Sequence, residues 1–96
     1  MLTNKQRSFL RKLANSQDAI FQIGKGGIAP AMVKQVREAL EARELVKVHV
    51  LDNSGLSTRE ACDRLARETG AEGVQAVGSK FVIYRKSAEN PKIELP

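Results

Sequence analysis

The chain has 96 residues, 42 % of them hydrophobic and 28 % charged, with 16 Lys and Arg against 11 Asp and Glu. That length accommodates one domain burying roughly 60 to 70 % of its unfolded surface, the composition excludes a disordered or membrane-embedded chain, and no apolar run reaches the roughly 18 residues of a membrane span. The net charge of +5 is regional, because residues 1–37 hold seven bases and one acid, Asp18, whereas residues 38–96 hold nine bases and ten acids.

Thr3 and Gln6 stand at capping-box spacing, and Phe9, Leu10, Leu13 and Ala14 recur at helical intervals, so residues 4–15 are predicted as an amphipathic helix. At about 100° per residue, Lys5, Arg7, Arg11 and Lys12 fall outside the apolar stripe and give this helix a basic outer face. These bases also interrupt the apolar core that a secretory signal requires. The single cysteine, Cys62, excludes an internal disulfide framework and fits a reducing cytosol.

Ala19 to Ile23 is a short apolar run stopped by Gly24-Lys25-Gly26-Gly27, a strand entering a glycine loop. Pro30 suits the first turn of a second helix, whose stripe of Met32, Val33, Val36, Ala39 and Leu40 runs to about Arg43. From Leu45 to Leu51, Val46, Val48 and Val50 alternate with Lys47 and His49, the period of a strand with one wetter face, and Asp52 to Gly55 closes it as a turn. Ser57 with Glu60 repeats the capping box, Ala61, Cys62, Leu65 and Ala66 form an inward stripe, and Gly70 stands where a helix C-terminal cap belongs. Val74 to Val77 and Lys80 to Arg85 are β-rich runs joined by Gly78 and Ser79, a link suited to a type II′ hairpin turn. Residues 87–96, with Pro91 and Pro96, are expected to form a short mobile tail beyond a domain of residues 1–86.

Strands that alternate with helices imply crossover connections, and a final hairpin adds antiparallel pairing. The expected fold is α/β in the order αβαβαββ, with a mixed four-stranded sheet packed with three helices.

The sharpest local feature is the glycine loop between strand and helix. Glycines tolerate positive φ and leave N–H groups exposed at a helix start, where the partial positive charge favours phosphate, and Lys25 adds a mobile cation. Gly24, Gly26 and Ala29 also satisfy G-x-G-x-x-A, but too few strands follow for a dinucleotide fold, and Lys25 is not followed by Ser or Thr as a P-loop requires. His49, the only histidine, shares its strand face with Lys47, and Cys62 sits on an apolar stripe as a small hydrophobe. Glu38, Glu41, Glu60 and Asp63 lie mostly at helical spacing from Lys34, Arg37, Arg59 and Arg67 and read as solvated helix faces. No catalytic residue, metal ligand or cofactor is assigned.

The segments LTNKQRSFLRKLA, FQIGKGGI and LVKVHVL, in that order, give the chain from about Leu2 to Lys86 a pattern that resembles the CRM domain family, especially its small stand-alone bacterial members of the YhbY type. The resemblance implies an RNA-binding module similar in core topology to the C-terminal domain of bacterial translation initiation factor three. Its G-x-x-G loop resembles the one with which KH domains clamp a nucleic-acid backbone. Bacterial members are associated with precursors of the large ribosomal subunit, and plant relatives with organelle intron splicing. On this sequence the loop role falls on Gly24, Lys25, Gly26 and Gly27, with flanking support from Lys5, Arg7, Arg11, Lys12, Lys34 and Arg37. The expected function is binding of ribosomal RNA during large-subunit assembly by a cytoplasmic monomer, with ribosomal proteins as further candidate partners and no part for a membrane or cofactor. The alternative is an assembly adaptor that docks on a protein and carries its charge for solubility.

Overall fold

Capping boxes, glycine stops and strand alternation resolve into elements in the expected order. A computed structural model describes residues 1–96, with α1 (Asn4–Asn15), β1 (Phe21–Ile23), α2 (Pro30–Arg43), β2 (Leu45–Val50), a 3-10 turn (Asp52–Ser54), α3 (Thr58–Thr69), β3 (Glu72–Val77) and β4 (Lys80–Tyr84). At the start of α1 the Thr3 hydroxyl accepts the Gln6 N–H at 3.1 Å while the Gln6 side chain accepts the Thr3 N–H at 3.0 Å. Ser57 and Glu60 repeat the exchange at α3, at 3.1 and 2.9 Å. Each box satisfies two of the N–H groups that a helix start leaves without intrahelical partners. Gly70, at φ 72°, ends α3 in the left-handed conformation.

The sheet runs in the order β1-β2-β4-β3, with β1 parallel to β2 and the other pairs antiparallel. Burial along β4 alternates between two cores. Phe81 and Ile83, with Val46, Val48 and Val50 of β2, pack against Val33, Val36 and Leu40 of α2 and Ala61, Cys62 and Leu65 of α3. Val82 and Tyr84 face the other way, with Leu45 and Val74, onto Leu10 and Ala14 of α1. The sheet is therefore the middle of three layers, with α1 alone on one face and α2 with α3 on the other. Each fully buried Leu, Ile, Val or Phe in these cores contributes about 1.5 to 3 kcal/mol relative to exposure.

The strand boundaries shift slightly from the sequence expectation. β1 starts at Phe21 rather than Ala19, and Ile20 is left 40 % exposed ahead of it. β3 starts at Glu72 rather than Val74, because Glu72 and Gly73 find partners in Tyr84 and Ile83 before a bulge between Gly73 and Gln75. Of the hairpin pair, Gly78 alone has positive φ, 60°, as a type II′ turn requires.

Residues 87–96, expected as a mobile tail, make hydrogen bonds and apolar contacts with the domain in this structure. Glu44, 0 % exposed at the end of α2, accepts the backbone N–H groups of Ser87, Lys92 and Ile93 at 2.8, 2.7 and 2.7 Å. One turn earlier, Glu41 accepts the Ser87 hydroxyl at 2.5 Å and the Ala88 and Glu89 N–H groups at 3.0 and 3.1 Å. Ile93 and Leu95 then pack on the α1 side of the sheet beside Phe9 and Leu13.

Candidate functional site

The loop after β1 is a tight turn whose two middle residues face solvent. Gly27 N–H donates to Gly24 O at 3.0 Å, and Leu51 N–H donates to Ile23 O at 2.8 Å, which ties the stem of the loop to the end of β2. Gly26 has φ 99°, outside the range that side-chain-bearing residues readily adopt, and a Cβ built there meets nothing within 4 Å. The turn needs glycine for its backbone and leaves room above it. Gly24 is restricted for another reason: a Cβ there would stand 3.3 Å from Leu51 Cδ1.

α2 begins immediately after this turn, with Pro30 in its first turn and no side-chain cap from Ala29. Its first N–H groups therefore lack the hydroxyl acceptor that α1 and α3 possess. Lys25 and Gly26 are exposed in the turn that leads into this helix, so a cation and helix-start amides without a side-chain acceptor lie within a few residues of each other.

The predicted flanking bases do not form one patch around this corner. Although all lie within the first 37 residues, α1 and α2 pack on opposite faces of the sheet. On α1, Arg7 and Arg11 occupy the flank beside β3, and Arg7 Nη1 donates to Gly73 O at 2.6 Å. Lys5 and Lys12 are exposed elsewhere on that helix, outside the cleft that Arg7 and Arg11 line. On α2, Lys34 is exposed one turn beyond Pro30. Arg37 lies farther along and donates from Nη2 to Glu68 O at 2.7 Å, holding the C-terminal turn of α3. The structure thus places Lys25 and Lys34 near the start of α2, and Arg7 and Arg11 across the sheet.

Two cations outside the predicted set, Arg59 and Lys80, also lie on this side of the molecule. Arg59, at the start of α3, lines a cleft of about 470 Å³ with Arg7, Arg11 and the β3 residues Gly73 to Val77. Lys80, exposed at the start of β4, pairs with His49 in β2 and Val77 in β3, while His49 pairs with Gln22 in β1. Gln22, His49, Lys80 and Val77 form a transverse row on the α1 side of the sheet, and Val77 is 66 % exposed. The alternation of β2 already placed His49 away from the main core. Its meeting with Lys80 depends on strand pairing, and that of Arg59 with Arg7 on helix packing, neither of which has a local signal.

The perturbed ionisable groups are spoken for by the fold. Hydrogen bonds from Ser87, Ala88 and Glu89 bring the Glu41 carboxyl down to about 2. Burial raises the Glu44 carboxyl, but the N–H groups of Ser87, Ile93 and Lys92 outweigh it and leave it below the usual range. The N-cap bonds with Ser57 lower Glu60. Burial pushes the Cys62 thiol up to about 11, and Asp63 adds to the effect. No group of three or more His, Cys, Asp or Glu residues stands together where a metal ion would need them.

The model of the CRS1/YhbY (CRM) domain family matches residues 2–85. The chain belongs to this CRM domain family. It is 47 % identical over 96 residues to the "Probable RNA-binding protein YqeI" of Bacillus subtilis, covering 100 % of both chains. It is also 34 % identical over 95 residues to an RNA-binding protein of Haemophilus influenzae, covering 99 % of this chain and 95 % of that one. Among solved structures, the solution structure of the hypothetical protein SAV1595 from Staphylococcus aureus superposes with a TM-score of 0.79, 51 % sequence identity and full coverage of both chains. In this CRM domain the Gly24 to Gly27 turn, the uncapped start of α2, the row of Gln22, His49 and Lys80 and the arginine cleft beside β3 all lie outside the two cores.

Proposed function

We propose that this CRM domain binds structured RNA by its phosphodiester backbone, seating one phosphate at the Gly24-Lys25-Gly26-Gly27 turn, and that ribosomal RNA in large-subunit precursors is its target. The observation that carries the reading is the juxtaposition of an exposed glycine turn, the Lys25 ammonium and an α2 start without a side-chain cap. Backbone N–H groups at a helix start suit an anion, and positive-φ glycines let a phosphate approach the chain closely. Contacts of this kind read the path of a backbone rather than its bases. Two relatives named as RNA-binding proteins support the ligand class, and the family resemblance supports the ribosomal target.

Within this reading Lys34 lies closest in sequence to the loop among the α2 bases. Lys5, Arg7, Arg11 and Lys12 act from α1, and Arg37 contributes through the guanidinium donors that Glu68 leaves free. Binding alone is the activity, with no bond made or broken.

The test is Lys25→Glu, because no hydrogen bond or salt bridge engages the Lys25 side chain. Affinity for a hairpin RNA, measured by fluorescence anisotropy, is expected to fall about tenfold, equivalent to about 1.4 kcal/mol, with thermal unfolding unchanged. Parental affinity in this variant would reduce the loop to a turn. In-cell crosslinking with sequencing of attached RNA tests the target, and recovery without large-subunit precursor sequences counts against it.

A further inference from the structure

Edge strand β3 lies between α1 on one sheet face and α3 on the other, and arginines from both helices converge on it. We propose that Arg7, Arg11 and Arg59 form a second phosphate-binding site, so that one RNA lies across the open sheet face between this cleft and the Gly24 to Gly27 turn. The inference rests on the RNA-binding reading and adds to it a second anchor and a direction for the bound strand.

The electrostatics of the cleft favour an anion. The hydrogen bond of Arg7 to Gly73 O at 2.6 Å fixes its guanidinium while leaving other N–H donors available. Arg11 is exposed and forms no salt bridge or side-chain hydrogen bond. Arg59 has one acidic neighbour, Asp63, at 3.9 Å, and both side chains are well exposed, 69 % and 60 %, a pairing that water screens heavily. Three guanidinium groups around one cleft of about 470 Å³ therefore repel one another with little internal compensation. Planar guanidinium forks match phosphate oxygens.

The two anchors are held at a fixed separation. They border opposite edges of a four-stranded sheet, β1 and β3, about 14 Å apart by three inter-strand spacings. Hydrogen bonds join them along the same end of the sheet. Thr58 Oγ1 donates to Gly78 O at 2.6 Å beside Arg59, Val50 N–H to Ser79 O at 2.7 Å, and Leu51 N–H to Ile23 O at 2.8 Å beside the loop. Lys80 stands exposed on the row between them. A backbone crossing that row meets cations at each edge and at its middle.

The experiment measures hairpin-RNA affinity against salt for Arg11→Glu, Arg59→Glu, Lys25→Glu and Arg67→Glu, with circular dichroism melts to verify folding. Arg67 is exposed on α3 and lies outside the cleft, so it controls for the change in net charge. Arg11→Glu and Arg59→Glu are each expected to lower affinity about tenfold and to reduce the salt slope by about 1, while Arg67→Glu stays near the parent. If those two variants match Arg67→Glu while Lys25→Glu is impaired, the second anchor is refuted and the loop reading stands. If all four bind like the parent, both fail.

Discussion

The Glu44 carboxylate accepts the backbone N–H of Ser87 at 2.8 Å across a sequence separation of 43 residues. With the bonds from Lys92 and Ile93 it turns one buried side chain into the clasp of the whole C-terminal segment. Replacing Glu44 by Ala keeps the positive-φ strain, since both residues carry a Cβ at φ 69°, and leaves three N–H groups without their charged acceptor. Stability is expected to drop by about 3 kcal/mol, which lowers the thermal midpoint by roughly 12 to 24 °C in a domain of this size. A calorimetric midpoint within a few degrees of the parent would show that the clasp contributes little.

The carboxylates that hold this segment make its attachment depend on pH. Glu41 ionises at about 2 in the folded chain, against an ordinary 4.5. Between those values the unfolded chain binds the extra proton, so the contribution is complete above about 4.5 and is lost as pH falls toward about 2. Melting the parent and Glu41→Gln from pH 7 down to pH 2 is expected to give the largest difference at neutral pH and convergence at the acid end. A difference that stays constant over the range would contradict the assignment.

Gly73 of β3 packs directly against Cys62 of α3. A Cβ on Gly73 would stand 3.2 Å from Cys62 Sγ, so Gly73→Ala is expected to cost about 1 to 3 kcal/mol through overpacking. Adding Cys62→Ala removes the sulfur and should recover part of that loss. A double-mutant cycle checks this, and strict additivity would exclude the contact.

Cys62 itself should be inert in the native protein. It is buried and its thiol is pushed up to about 11 by burial and then by Asp63, whereas the thiolate is the reactive form. Alkylation by a maleimide at pH 7 is expected to proceed only at the rate of unfolding. Fast labelling that is insensitive to denaturant would contradict this.

Local signals were legible in the sequence, and their structural outcomes are specific. Thr3 with Gln6 and Ser57 with Glu60 form the capping boxes that their spacing implies, Gly70 caps α3, and the alternation of Val46, Val48 and Val50 marks the core face of β2. The hold on residues 87–96 was illegible because it runs mostly from backbone N–H groups to Glu41 and Glu44, and a backbone donor has no residue type to read. Arg59 read as a solvated residue at i,i+4 spacing from Asp63, and that pair exists at 3.9 Å. Its approach to Arg7 and Arg11 follows from α1 and α3 gripping the same edge strand from opposite faces. The regional charge was real but misleading in one respect. Contiguity in the chain did not become contiguity on the surface, because β1 carries the chain from the α1 layer to the α2 layer.

Phosphate binding is the claim on which the functional account stands, and the salt dependence of RNA affinity tests it most directly. With about four to six phosphates neutralised, log affinity is expected to fall against log salt with a slope of roughly −3 to −5. In Lys25→Glu the slope should be shallower by about 1. Affinity that is flat from low to physiological salt in both proteins would contradict backbone recognition at the glycine turn.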